Sequence, residues 1–153
     1  MKHLLLYILI MSSVVMSQDQ LFVGTRPLGM GGAFIAVADD GNTITWNPAG
    51  LPRLRRKEFT SSYADLYAMN ITHSYAGVVW PFGDRVALGF DWSNIGFDDQ
   101  ELNYSENKLN FSLGYQPFKM LSLGGTFKYL SRDMGLDGTS YGKTAGIGYD
   151  IGL

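Results

Sequence analysis

The chain has no cysteine and only two histidines among its 153 residues. Lack of cysteine excludes disulfide staples, thiolate metal sites and a cysteine nucleophile. With His3 in the N-terminal leader, His73 alone is left for imidazole chemistry. Its neighbour Ser74 completes no local dyad, because adjacent strand residues point to opposite faces. His73 reads as a polar residue near the first loop. Charge is also scarce: Asp, Glu, Lys and Arg make up 17%, where about a quarter is usual. A net charge of −2 excludes a broad electrostatic surface for nucleic acid. No apolar run reaches the roughly 20 residues of a membrane helix, and no segment beyond the leader keeps a helical period.

The leader itself has a recognisable pattern. Lys2 and His3 form a positive start, Leu4 to Met11 an apolar stretch, and Val15-Met16-Ser17 a cleavage site. This is the order of a secretory signal peptide over residues 1–17. Polar Ser12, Ser13 and Gln18 to Gln20 cut the apolar run too short for an anchor.

Glycine (19) and aromatics (14%) are plentiful, and past Arg55 the dominant period is two. Val86, Leu88, Phe90 and Trp92 alternate with Ala87, Gly89 and Asp91. Leu109, Phe111, Leu113 and Tyr115 alternate with Lys108, Asn110, Ser112 and Gly114. Leu121, Leu123, Phe127 and Tyr129 follow suit, as do Ala145, Ile147, Tyr149, Ile151 and Leu153. Alternation puts the large apolar groups on one face and small or polar groups on the other. Looser strands are expected at Lys57 to Ala68 and Thr72 to Phe82. Tight turns at Pro81 to Arg85 and Gln116 to Lys119 alternate with expected long loops at Asn94 to Asn107 and Ser131 to Gly142. That is the meander of an outer-membrane barrel, with turns in the periplasm and loops outside. Trp80, Phe82 and Phe118 at the turn side, and Trp92, Phe97, Tyr104, Tyr129 and Tyr141 toward the loops, stand where interfacial girdles fall. Leu88, Phe90, Leu109, Phe111, Leu113 and Ile147 are expected to meet lipid, and Gly89, Asp91, Ser112 and Gly148 to line the interior. In a soluble sandwich or lipocalin-like barrel the apolar face would point inward. The Ala, Gly, Ser and Asn left outside carry too little charge for a soluble surface, where about 25–35% is typical of well-behaved designs.

One stretch departs from this pattern: GMGGAFIAVADDGNTITWNPAGL, Gly29 to Leu51. Gly29 and Gly31 begin a dinucleotide fingerprint, but Phe34 stands where its third glycine belongs, and no strand–helix alternation surrounds it. No Lys-Ser/Thr pair follows, so a phosphate loop fails as well. Gly29, Gly31 and Gly32 instead allow close packing and unusual φ. Asp39-Asp40-Gly41-Asn42 reads as a turn. Asn47 and Pro48 read as an N-cap and first residue of a short helical turn, stopped by Gly50 and blocked by Pro52.

Arg26-Pro27-Leu28-Gly29-Met30-Gly31-Gly32-Ala33-Phe34, then Ala36 to Asp40, then Trp46-Asn47-Pro48-Ala49-Gly50-Leu51, resembles the opening of the PorV/PorQ group. That group is related to FadL-type long-chain fatty acid transporters of the outer membrane. The resemblance implies a hatch over residues 18–53, held inside the barrel by Gly29, Gly31, Gly32, Asp39, Asp40, Asn47, Pro48 and Gly50. Residues 54–153 would be the first six strands of an all-β, antiparallel transmembrane barrel. FadL-type barrels have about 14 strands, within the roughly 8 to 26 usual for bacterial barrels. The chain is therefore expected to be an N-terminal portion. The resemblance also implies a non-catalytic protein of the outer membrane of a Gram-negative-type bacterium, with no cofactor and no nucleic-acid partner. Its first implied role is association with type IX-like protein secretion, with secreted cargo or secretion components as partners beside membrane lipid. The alternative is passive transport of hydrophobic small molecules such as long-chain fatty acids.

Two charged clusters stand outside that resemblance. Asp98, Asp99, Glu101 and Glu106 supply oxygen ligands but lack the spacing of a defined Ca²⁺ loop, so no metal site is assigned. Arg53, Arg55, Arg56 and Lys57 fit either anionic lipid headgroups or a solvated periplasmic edge.

Overall fold

A computed structural model describes residues 23–98, 102–136 and 139–153; the leader expected at residues 1–17 lies outside them. Six strands follow in chain order: β1 Glu58–Leu66, β2 Ile71–Phe82, β3 Val86–Asp98, β4 Leu102–Phe118, β5 Leu121–Leu136 and β6 Thr139–Gly152. Each pairs antiparallel with the next in one meandering sheet. The all-β, antiparallel expectation is met. Among the described residues, no helix is long and apolar enough to cross a membrane.

Register turns the alternation into rows. Val78, Phe90, Phe111, Phe127 and Tyr149 are successive cross-strand partners. Rows through Leu88, Leu113 and Ile151 and through Trp92, Leu109, Tyr129 and Ile147 flank it on the same face. Phe90 and Phe111 pack ring to ring at 4.8 Å, and Phe127 and Tyr149 at 5.4 Å, yet the face is open. Phe111 is 55% exposed and Ile147 65%. The opposite face is polar and buried: Asp91 at 0%, Asn110 at 1%, Ser112 at 3%. A soluble sheet has this arrangement the other way round.

The apolar face ends at a level. From Val86 to Trp92 it runs for roughly 20 Å at about 3.4 Å per residue. The next outward row is Ser74, Asn94, Asn107 and Ser131. Trp92 stands at the boundary and donates its indole N–H to Asn107 Oδ1 at 3.3 Å. An amphipathic ring with its polar edge toward the polar row is how Trp sits at an apolar–aqueous boundary.

Beyond that level the structure corrects two expectations. The long loops at Asn94–Asn107 and Ser131–Gly142 are mostly strand, since β3 and β4 pair up to Asp98 and Asn103, and β5 and β6 up to Leu136 and Thr139. The reason is polar stitching that a hydrophobic period does not register. Asn94 Nδ2 donates to Ser105 Oγ and Asn107 Oδ1, both at 3.1 Å. Arg132 Nε and Tyr104 Oη both donate to Glu106 Oε2, at 2.6 and 2.7 Å. Phe97 and Tyr104 also leave the expected outer girdle, because they share the inner face with Ser93 and Glu106 by strand alternation.

Residues 23–57 form no strand. They fold as four short helical segments, Thr25–Gly29, Ala33–Ala36, Thr43–Trp46 and Pro48–Arg53, laid on the polar face of the sheet. Ile44, Leu51 and Leu54 from these turns pack with Val79 and Ala87 of the wall. Fully burying side chains of this size contributes about 1.5–3 kcal/mol each.

Hydrogen exchange discriminates strand from loop. Amides of Ile95, Phe97 and Tyr104 should exchange on the slow timescale of Leu88 and Leu113. Rates like those of an open surface loop would return the hairpin extension to the loop expected from sequence.

Candidate functional site

The best-defined polar assembly lies where the N-terminal segment meets the inner face. Its floor is glycine. Gly114, Gly124 and Gly152 are cross-strand partners on β4, β5 and β6. A Cβ on Gly114 would lie 2.6 Å from Pro52 Cδ and 2.8 Å from the Pro48 carbonyl oxygen. One on Gly124 would collide with the Ala49 amide nitrogen and the Pro48 carbonyl, and one on Gly152 with Asn47 Oδ1. The Pro48–Arg53 turn thus rests its backbone directly on the wall. One row along, a Cβ on Gly89 would come within 2.8 Å of Ile44 Cγ1.

Asn47 organises this contact. Its backbone is extended (φ −159°, ψ 101°), and its side-chain oxygen accepts the Ala49 N–H at 3.1 Å. Pro48 follows at the first helical position, where it has no N–H to leave unsatisfied. The Asn47 amide donates to the carbonyls of Ile35 and Leu153, at 3.1 and 3.3 Å. One side chain therefore ties the turn to an earlier turn and to the end of β6.

Above the floor the contact is polar. Thr45 Oγ1 and Asn110 Nδ2 each donate to a different oxygen of Asp91, both at 2.8 Å. Ser112 Oγ donates to the Ile44 carbonyl at 3.3 Å and shares a 2.7 Å hydroxyl contact with Thr126. Lys128 pairs with Asp150 at 2.6 Å. A buried carboxylate is tolerated only when its lone pairs are used, and Asp91 has a donor from each side of the interface.

The remaining predicted residues sit farther from the wall. Gly31 and Gly32 hold φ of +61° and +81°, so their expected unusual backbone is present. The expected close packing is not: nothing lies within 4 Å of an added Cβ at Gly29 or Gly31, and Gly32 meets only the Trp46 ring at 3.7 Å. Gly50 is no helix stop, since the turn runs on to Arg53. It is required because Cβ there would strike the Ala38 carbonyl oxygen. Asp39 and Asp40 both take Arg26 Nη1, at 2.5 and 2.9 Å, and Asp40 Oδ1 also accepts the Asn42 amide at 2.8 Å. Arg26 lies 5.4 Å from the Phe34 ring centroid, and Phe34 meets Trp46 edge-on. Arg26 holds the Asp39 carboxyl below its ordinary pKa, chiefly through that hydrogen bond.

His73 is buried on the inner face opposite Ile95. It lies roughly 13 Å along β2 from Gly77, the partner of Asp91, at about 3.4 Å per residue. The two form no dyad. Among the described residues no three His, Asp or Glu side chains group to hold a metal. Asp99 and Glu101 of the acidic cluster lie outside those residues, and Glu106 is taken by Arg132 and Tyr104. Sequence reasoning missed the wall glycines and the Thr45–Asp91–Asn110 link. The signal for Asp91 was available as the lone acid in the small-residue face of its strand.

Comparison with protein-family models, curated proteins and solved structures gives no match in any of the three.

Two experiments probe this interface. Gly124→Val should displace the Pro48–Arg53 turn, so protease cleaves within residues 24–54 faster while strand content persists. Gly31→Ala should cost only about 1–2 kcal/mol of local left-handed strain, and Asn47→Ala about 0.5–2 kcal/mol of capping. Unchanged protection in Gly124→Val would mean that the turn does not rest there. By NMR, Asp39 should titrate below the ordinary value of about 3.9, and Arg26→Gln should raise it. Since folding depresses this pKa, the pair's contribution is complete above the ordinary value and lost as pH falls through the folded one.

Proposed function

We propose that this chain forms part of an outer-membrane β-barrel of the PorV/PorQ type, non-catalytic and associated with protein secretion across the outer membrane. The observation that carries the reading is the reversed polarity of the sheet. Its apolar rows are open and its polar rows are covered by the chain's own N-terminal segment. Lipid is the medium that makes such an outward face favourable, as on the apolar outer band of outer-membrane barrels. The seating of Pro48–Arg53 on Gly114 and Gly124 supports a hatch held inside the barrel. The tight turns at 83–85 and 119–120 would then face the periplasm. A spanning sheet must pair both of its edges, here β1 and β6, because unpaired backbone costs several kcal/mol per group in hydrocarbon. On this reading, closure takes further strands.

The wall also bears on the choice of cargo. Its inner face carries Asp91, Lys108, Lys128, Asp150, Glu106 and Arg132 along neighbouring rows. An acyl chain following it would meet charged and polar side chains in place of apolar ones. That favours the secretion reading over FadL-like transport of hydrophobic small molecules.

Replacing Phe90, at the centre of the apolar rows, with Arg should destabilise the bilayer-inserted full chain by about 2–4 kcal/mol. Ser131→Arg, in the polar row beyond the boundary, should cost about 0–1 kcal/mol. Equal costs, read from urea-dependent folding into vesicles, would remove the membrane face. Depleting the protein from its host should leave exported proteins cell-associated while fatty acid uptake is normal. The reverse outcome would assign the transport alternative.

A further inference from the structure

At the turn end of the sheet, the two tight turns and the chain leading into β1 enclose a basin of about 490 Å³. Arg55, Arg85, Lys119, Asp84 and Gln116 line it. The basin is built by hydrogen bonds. The Gln116 N–H donates to the Arg85 carbonyl at 2.8 Å, joining the two turns. Arg55 Nη1 donates to both the carbonyl and the carboxylate of Asp84, at 2.9 and 3.1 Å. Three cations face a single carboxylate, so the basin keeps an unmatched positive charge. Its rim is apolar, with Phe118 69% exposed and Met120 fully exposed. Beside it, Lys57 Nζ lies 3.5 Å from the Trp80 ring centroid.

From this rim the outward apolar rows begin, at Val86, Tyr115 and Leu123. One row along, Gly125 stands between Leu113 and Ile151. A Cβ on Gly125 would meet only the Asp150 carbonyl, at 3.8 Å. The missing side chain leaves a notch in the apolar face, within a groove bordered by Leu88, Leu113, Phe127 and Ile151. A ligand complementary to both features carries an anionic head that accepts several N–H donors, and a flexible apolar tail of side-chain width. Arginine and lysine supply those donors to phosphate oxygens.

We infer that the basin binds the phosphate of an anionic glycerophospholipid whose acyl chain lies over Tyr115, Leu113 and the Gly125 notch. The inference rests on the membrane reading above and adds a lipid specificity to it. Of the two uses open to the Arg53–Lys57 cluster, it selects headgroup contact and extends the site to Arg85 and Lys119, from other turns.

The test uses the full chain reconstituted into phosphatidylcholine vesicles with and without phosphatidylglycerol, with retained lipid identified by native mass spectrometry. Wild type should retain phosphatidylglycerol preferentially. Arg85→Gln combined with Lys119→Gln should lower the preference by about fivefold per cation removed. Lys119→Arg should keep it, and Asp84→Asn should raise it. Insertion of the double variant into pure phosphatidylcholine shows that the membrane reading stands on its own. A wild type that inserts without lipid preference, or a preference the double variant leaves intact, overturns the inference alone. Failure of wild type to insert into any vesicle overturns both. Displacement of the bound lipid by millimolar inorganic phosphate would assign the basin to the free anion and overturn the lipid assignment.

Discussion

Backbone resting on backbone is the contact on which the rest of this structure depends. At Gly124 the Pro48–Ala49 backbone lies directly on the strand, Gly114 meets Pro52 and the Pro48 carbonyl, and Gly152 meets the Asn47 side chain, so a Cβ at any of the three would collide. Because the turn comes so close, Ile44 and Leu51 reach Val79 and Ala87, and Thr45 reaches Asp91 at 2.8 Å. A small apolar cluster and a buried hydrogen-bond network are thereby placed side by side. Neither would close if the floor were raised by one methyl group.

The same contact decides which face of the sheet is which. Asp91, Asn110 and Ser112 are buried because the N-terminal turns cover them and supply partners. The large side chains consequently point the other way, in rows that end where Trp92 meets Asn107. The proposed placement of that outer face in lipid, the proposed hatch and the proposed phospholipid basin all follow from this one division. They would fail in that order, since the basin needs the membrane and the membrane needs the reversed faces.

Much of the fold was legible because a two-residue period is a local signal. Val86 to Trp92 and Leu109 to Tyr115 announce both the strand and its face. The hairpin extensions were not legible. Asn94, Ser105, Asn107 and Glu106 are polar residues of a kind found in loops, and only their cross-strand bonds make them strand. Asn47 and Pro48 could be read, as capping depends on neighbours in sequence. The seat itself could not, since Gly114, Gly124 and Gly152 become one surface only through register. Gly31 and Gly32 drew attention through local density, but their demand is conformational. The glycines on which packing depends are spread over three strands and look ordinary one at a time.

The central claim is that alternate residues of the sheet face an apolar medium and a covered interior. Site-directed spin labels placed singly at positions 109 to 113 on β4, in the full chain reconstituted into bilayers, address it directly. Relaxation at 109, 111 and 113 should respond to oxygen dissolved in lipid and be blind to a water-soluble nickel chelate. Positions 110 and 112 should be shielded from both reagents. A nickel response at the odd positions, with oxygen access at the even ones, would place the apolar rows inside and contradict the account.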